Sequence, residues 1–290
     1  MSNYFPTFKR LMRKRLFRRL SWRKIALIIM LIASLIIIKD QIEYSFGIGF
    51  WSDDSSYFSD DSEYADCNVQ GILLRGKLNT HIDESSEFLQ SSSEDIVYSI
   101  KKAEDDSNIK AILLEVDSFG GYPVADEEIA NALKRAKKPT VALVRGVAAS
   151  AAYYAITGAD IIFASQDSEV GSIGVTASYL DYFQMNEKEG VNFNILSTGK
   201  YKDIMSEDKE LTEDERQLIL RDLNIMNDNF IQAVATNRDL DIEKVRSLAD
   251  GSTMLGKMAM KEGLIDRIGG EYEVKEYLKD ITREEINICW

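Results

Sequence analysis

The sequence predicts an α/β domain with a largely parallel sheet, held behind one N-terminal transmembrane helix. Past Cys67, short apolar runs alternate with helical stretches, and glycine-bearing loops follow the ends of several runs. Ahead of that body, nine bases between Lys9 and Lys24 stand directly before the apolar run Ile25 to Ile38. The first pattern gives the α/β class and the second gives the tether.

The apolar run is 14 residues long and is broken only by Ser34. At about 1.5 Å per residue it spans about 21 Å, short of a hydrocarbon core of about 30 Å. Trp22 before it, and Ile42, Tyr44, Phe46, Phe50 and Trp51 after it, extend the helix and supply interfacial aromatics. No A-x-A pattern precedes Lys39, which favours an uncleaved anchor over a signal peptide. A buried core helix would leave the nine adjacent bases without a reason. Bases on the N-terminal flank put that end in the cytoplasm and everything after Lys39 outside it, a single-pass arrangement in the cell membrane. From Ser52 to Asp66 the chain holds six acids, five serines and no base, a solvated spacer without the spacing or glycine of an EF-hand. The expected layout is a basic tail over 1–24, an anchor over 25–51, an acidic serine-rich linker over 52–66 and a folded extracytoplasmic domain over 67–290.

Composition excludes several functions. The net charge of −13 conceals a split: residues 1–39 hold ten bases and no acid, so the rest carries 48 acids against 25 bases, or −23. Such a body is a poor nucleic-acid binder, because phosphate neutralisation needs clustered Lys and Arg. The lone His81 rules out HExxH metal sites and leaves a Ser-His-Asp triad one possible base; it lies in a polar stretch and reads as a surface residue. Cys67 and Cys289 cannot build a zinc site unaided. At most they form one bond joining the start of the body to its end, which requires an oxidising compartment.

Within the body, strands are expected at Val69–Leu74, Ala111–Val116, Thr140–Val144, Ile161–Ala164 and Phe193–Leu196. Helices are expected near Ile96–Ala103, Glu127–Ala136, Ala151–Ile156 and Tyr179–Lys188. After Lys202 the chain turns mostly helical. Thr212 to Glu215 forms a capping box ahead of a long helix reaching about Thr236, followed by helices near Ile242–Leu248, Leu255–Glu262 and Val274–Leu278.

Three loops follow carboxyl ends of strands, where an open α/β sheet places its chemistry. Asp117-Ser118-Phe119-Gly120-Gly121 turns sharply and leaves backbone N–H groups unobstructed; by itself it is also a plain strand-to-helix turn. In Gly146 to Tyr154, Ser150 sits among small residues where a helix begins, either as an exposed hydroxyl or as an ordinary N-cap. Val170-Gly171-Ser172-Ile173-Gly174-Val175 suits close backbone approach; it is neither a G-x-S-x-G elbow nor a phosphate loop. A reactive serine needs a base, and a lysine serves if burial lowers its pKa from about 10.4. Lys200 and Lys202 are both candidates and have the same parity along an extended chain.

Taken together, the loops resemble the signal peptide peptidase A (protease IV) family of membrane-anchored serine-lysine peptidases. Val116 to Gly121 resembles the family's D/N-S-P-G-G oxyanion loop, Gly146 to Tyr154 its A-A-S-G-G-Y-Y nucleophile segment, Val170 to Val175 its T-G-S-I-G-V segment, and Gly199 to Ser206 its lysine segment. The resemblance covers roughly residues 68–270. It implies a crotonase/ClpP-like superhelical α/β fold, Ser150 as nucleophile, Lys202 as general base with Lys200 as the alternative, and Ser172 orienting the lysine. Backbone N–H groups of Gly120, Gly121 and Ala151 would form the oxyanion hole. It also implies peptide substrates such as remnant signal peptides or short apolar or unfolded segments, with no metal or organic cofactor. The assembly it implies is a ring-shaped homo-oligomer, an octamer being the size suggested, in which serine and lysine can come from neighbouring protomers. Two departures stand out: Phe119 replaces a proline, and Ala151-Ala152 replaces Gly-Gly, which would strain the site if it needed φ > 0. A ring-forming scaffold or binding protein with weakened catalysis is the alternative, and an acyl-CoA hydratase or isomerase relative a more distant one.

Overall fold

Parallel pairing organises the molecule, because the central strands are apolar on both faces and must be covered on both. The computed structural model describes residues 67–290; the basic head, the apolar run Ile25–Ile38 and the acidic spacer lie outside the described residues. In chain order the strands are β1 (Val69–Asn79), β2 (Gln90–Ser92), β3 (Ala111–Gly121), β4 (Thr140–Ala149), β5 (Ile161–Ala164), β6 (Glu169–Gly171), β7 (Thr253–Leu255), β8 (Arg267–Ile268) and β9 (Ile288–Cys289). The helices are α1 (Ser93–Asp105), α2 (Pro123–Arg135), α3 (Ala151–Ile156), α4 (Phe183–Glu189), α5 (Glu213–Asn237), α6 (Ile242–Leu248), α7 (Gly256–Glu262) and α8 (Glu271–Thr282).

The sheet runs β2-β1-β3-β4-β5-β8, with β9 added beside β1 and β6 beside β4. Every pairing is parallel except β6 with β7. Ile112, Leu113 and Leu114 of β3 are fully buried in succession. One sheet face carries Leu74, Ile112, Leu114, Ala142, Val144 and Ile162 in a core that also takes in Ile96 and Ile100 of α1, Ile129 and Leu133 of α2, and most of α3. The other carries Val69, Leu113, Leu143 and Phe163 against Val274 and Leu278 of α8. The mixed α/β class and the mostly parallel sheet are therefore as the sequence predicted.

Local signals explain most boundaries. Ser92 caps α1 by accepting from Asp95 N–H at 3.0 Å, and Pro123 opens α2, where its missing N–H costs nothing. The capping box at Thr212 and Glu215 is present and starts α5. Cys67 and Cys289 form a disulfide across 222 residues, fastening β9 beside the start of β1.

The structure corrects three expectations. Phe193–Leu196 is an exposed irregular segment, because no strand is offered to it and its alternation has no sheet face to bury. Strands β3 and β4 run on to Gly121 and Ala149, so two of the three expected loops are the last residues of strands. Lys200 to Met205 is turned, which removes the shared parity of Lys200 and Lys202. Among the described residues no helix is long and apolar enough to cross a membrane.

Candidate active site

Ser150 is the single residue between β4 and α3, at φ 53° and ψ −128°. A left-handed φ at a non-glycine residue costs about 1–3 kcal/mol and persists where the surroundings enforce it. Here Ser150 N–H donates to Gly171 O at 2.8 Å, while Ser150 O accepts from Tyr154 N–H at 3.0 Å. These two bonds fix the backbone on either side of the serine. Its position is that of an N-cap, yet its hydroxyl makes no capping bond. The two N–H groups that follow, of Ala151 and Ala152, belong to the first turn, where a helix supplies no intrahelical acceptors. The arrangement thus presents a hydroxyl and adjacent N–H donors at the carboxyl edge of a parallel sheet.

The glycine turn of β3 lies directly against it. Gly120 has φ +101°, and a Cβ there would fall 2.8 Å from Ala149 O, 2.9 Å from Ala151 N and 3.0 Å from Ser150 Cβ. Only glycine fits that approach. The buried Ser118 Oγ donates to Gly76 O at 2.5 Å and accepts from Gly120 N–H at 3.0 Å. The Gly120 N–H is therefore engaged within the turn.

Neither sequence departure strains the backbone. Ala151 and Ala152 open α3 with negative φ, and Phe119 lies in β3, also without positive φ, its ring 77% exposed. Ser150, Gly120, Gly171, Ser172 and Gly251 take left-handed φ around the site, and none of them is a departure.

Ser150 stands between two cavities. One, of about 280 Å³, is lined by Gly121, Tyr122, Asp126, Ala151, Tyr154, Met226 and Phe230. The other, of about 570 Å³, is lined by Phe119, Ser172, Leu220, Leu223, Asn224, Asn227 and Gly251. Ser150, Gly174, Val175 and Thr176 border both. Ser172 faces the second cavity with its N–H bound to Ser252 O at 2.9 Å and its Oγ donating to Gly251 O at 2.9 Å. Asn227 contributes a buried Oδ1 without a hydrogen-bond partner among the described residues.

Sequence reasoning missed Asp126 and Asn227. Asp126 reads as an ordinary acid in the first turn of a helix, yet it is only 6% exposed, and burial pushes its carboxyl up to about 8 against an opposing backbone hydrogen bond at Glu127. Across the cavity, burial and then the Asp126 charge push the Tyr154 phenol up to about 12. The extra acid among Ala125, Ile129 and Ala130 was the one available signal, since those neighbours define the buried stripe of α2.

The lysines are elsewhere. Both lie on the lobe formed by residues 175–212, which leaves the sheet after β6 and returns at α5. Lys200 pairs with Asp214 at 2.7 Å, both side chains exposed, and that hydrogen bond raises its pKa. Lys202 is exposed and donates its backbone N–H to Gly199 O at 3.1 Å. Neither lines either cavity beside Ser150. One chain therefore brings together Ser150, Ser172, Gly120, Gly121 and Ala151, but neither lysine with them. His81 is exposed, hydrogen-bonded with Thr80 Oγ1 at 3.1 Å, and lines a separate cavity with Glu94 and Glu128, as expected of a surface histidine. Among the described residues no cluster of His, Cys, Asp and Glu is arranged to hold a metal ion.

The family model "Peptidase family S49" matches residues 132–284, and the Clp protease model matches residues 69–169. A putative protease of Methanocaldococcus jannaschii is 36% identical over 181 residues, 62% of this chain and 58% of that protein. A putative signal peptide peptidase SppA of Enterococcus faecium is 35% identical over 193 residues, 66% of this chain and 56% of that one. A protein named protease 4 in Haemophilus influenzae is 29% identical over 220 residues, 75% of this chain and 34% of its own. The chain thus spans a little over half the length of the first two relatives.

Proposed function

This chain belongs to peptidase family S49, and on that premise we propose that it is a membrane-anchored serine endopeptidase with Ser150 as nucleophile and Lys202 as general base. The observation that carries the proposal is the Ser150 hydroxyl: it stands at a strained strand-to-helix junction, caps nothing, and opens on both cavities. Attack by Ser150 Oγ on a peptide carbonyl transfers its proton to Lys202; the lysine then protonates the leaving amine, and water resolves the acyl-enzyme. The N–H groups of Gly121 and Ala151 receive the oxyanion, each such donor contributing about 3–4 kcal/mol in other hydrolases.

The base comes from a second copy of the chain. Lys202 does not reach the Ser150 cavities in its own chain, and the lobe that carries it exposes Leu180, Val191, Phe193 and Leu196. Apolar exposure on that scale marks an interaction surface. A ring in which each lobe covers the next copy's groove would bury those side chains and desolvate the lysine, lowering its pKa into the working range. The substrates are remnant signal peptides or other short apolar or unfolded segments. The Cys67–Cys289 disulfide supports an oxidising, extracytoplasmic compartment, and the apolar run Ile25–Ile38 is the proposed anchor. The scaffold alternative loses its main support, because Ala151 and Ala152 are helical.

The test is cleavage of a quenched synthetic signal peptide by the full chain in detergent. Wild type should cleave, whereas Ser150→Ala and Lys202→Ala should not. Full activity in Lys202→Ala would move the role to Lys200 or abandon the dyad.

A further inference from the structure

The cavity on the α2 side of Ser150 is lined by a buried acid without a counter-charge. Asp126 is 6% exposed, and among the described residues the only charged group acting on it is another acid, Glu127. Much of the remaining wall is small, apolar or aromatic, with Gly121, Ala151, Tyr154, Met226 and Phe230, and Glu127 adds a second acid. At about 280 Å³ the space is below the range of small-molecule clefts and suits one long side chain.

We propose that Asp126 is a specificity-determining residue, and that this cavity receives a lysine or arginine side chain from the residue on the acyl side of the scissile bond. The inference rests on Ser150 being the nucleophile, since Ser150 and Ala151 then fix which substrate side chain faces the cavity. A basic side chain matches the wall along its length. Its aliphatic stem lies against Met226 and Phe230, and its charged head meets the carboxylate. An apolar side chain of the same length would keep the acid desolvated and unpaired. The substrate class narrows accordingly, to apolar segments cut at a basic flank, a pattern that the positively charged end of a signal peptide provides.

Charge on Asp126 makes this preference depend on pH. Three other ionisable residues border the cavity: Glu127 on α2, Tyr122 just before it and Tyr154 on α3. Helix α5 contributes Met226, Asn229 and Phe230, none of them ionisable. Burial raises the Asp126 carboxyl to about 8, so it is neutral below that pH and ionised above it. A lysine side chain keeps its proton to about pH 10. Selectivity for the cation therefore grows as pH rises through about 8.

The experiment uses the full chain carrying Ser150→Ala and two fluorescent peptides that differ only in their last residue, lysine or its uncharged isostere norleucine. Fluorescence anisotropy should show at least tenfold tighter binding of the lysine peptide at pH 9. The ratio should fall below about threefold at pH 6, and also on adding Asp126→Asn while the norleucine peptide still binds. Equal binding of both peptides at pH 9, or a ratio untouched by Asp126→Asn, would overturn the inference. If the Asn variant binds neither peptide, the pH series on intact Asp126 decides. Fluorophosphonate labelling of the wild-type chain reports on the nucleophile separately. Selectivity without labelling at Ser150 would sink the peptidase reading, and labelling without selectivity would sink this one.

Discussion

The strand ends that hold Ser150 and the lobe that holds Lys202 are stabilised by different means. Around Ser150 every constraint comes from the same chain: the Gly171 carbonyl, the Gly120 approach, the Ser118 hydroxyl and the fully buried Tyr153, whose OH donates to Leu264 O at 2.9 Å. The lobe has few such anchors. Lys209 pairs with Asp203 at 3.2 Å and with Glu215, Tyr182 N–H donates to Glu207 O at 2.7 Å, and Asn186 Nδ2 donates to Asp208 Oδ1 at 2.9 Å. Its apolar side chains meanwhile face outward, and α4 buries no residue. A polar framework holds the lobe's shape while its apolar side chains stay exposed. The two halves of the proposed dyad thus belong to surfaces of different kinds, one finished by the chain and one that the proposed ring would finish.

The sharpest way to break that contrast is to separate the halves. Ser150→Ala and Lys202→Ala should each reduce turnover by about 10⁴-fold or more. Mixing and reassembling the two inactive proteins should restore part of the activity, because some interfaces then pair an intact serine with an intact lysine. No recovery from properly assembled mixed rings would return the lysine to its own chain. Next in size, Leu196→Glu should disperse the proposed ring and remove most activity at dilute concentration while the monomer's melting temperature hardly changes. Sedimentation together with calorimetry checks this, and a large drop in melting temperature would show that Leu196 belongs to the monomer's own core.

The disulfide sharpens the comparison from the other side. Cys289→Ser should lower stability by about 2–5 kcal/mol in guanidinium unfolding, since the closed loop contains most of the folded body. The loss should fall on the sheet, where β9 meets β1, and leave lobe protection from hydrogen exchange unchanged. Smallest is Thr212→Ala. Thr212 Oγ1 accepts from Glu215 N–H at 3.4 Å, and Glu215 Oε2 accepts from Thr212 N–H at 2.9 Å. Removing the cap should cost about 1 kcal/mol and speed exchange in the first turn of α5, where the lobe joins the body. Lys209 and the Thr212 bonds also hold the Glu215 carboxyl down to about 2, below its ordinary value. That contribution is present above the ordinary carboxylate range and is lost as pH falls from about 4.5 towards 2, so the same junction should loosen first in acid.

Short-range patterns determined much of this protein. The apolar runs Ala111–Val116 and Ile161–Ala164, the capping box at Thr212 and the boundaries of α3 and α6 were legible because their causes lie within a few residues. The order of four loops carried the family resemblance, and the structure brings Ser150, Ser172 and the glycine turn together because parallel strands bring their carboxyl ends to one edge. Tertiary structure decided the rest. Phe193–Leu196 has the pattern of a strand but no partner, and pairing is a property of two segments. The Ser150–Gly171 bond, the anchoring of Ser118 on Gly76 and the bond between Cys67 and Cys289 join residues separated by up to 222 positions. The acidity of Asp126 was invisible for the same reason: a carboxyl's pKa is set by the water that surrounding elements exclude, and that exclusion exists only once α2, α3 and α5 have closed around it.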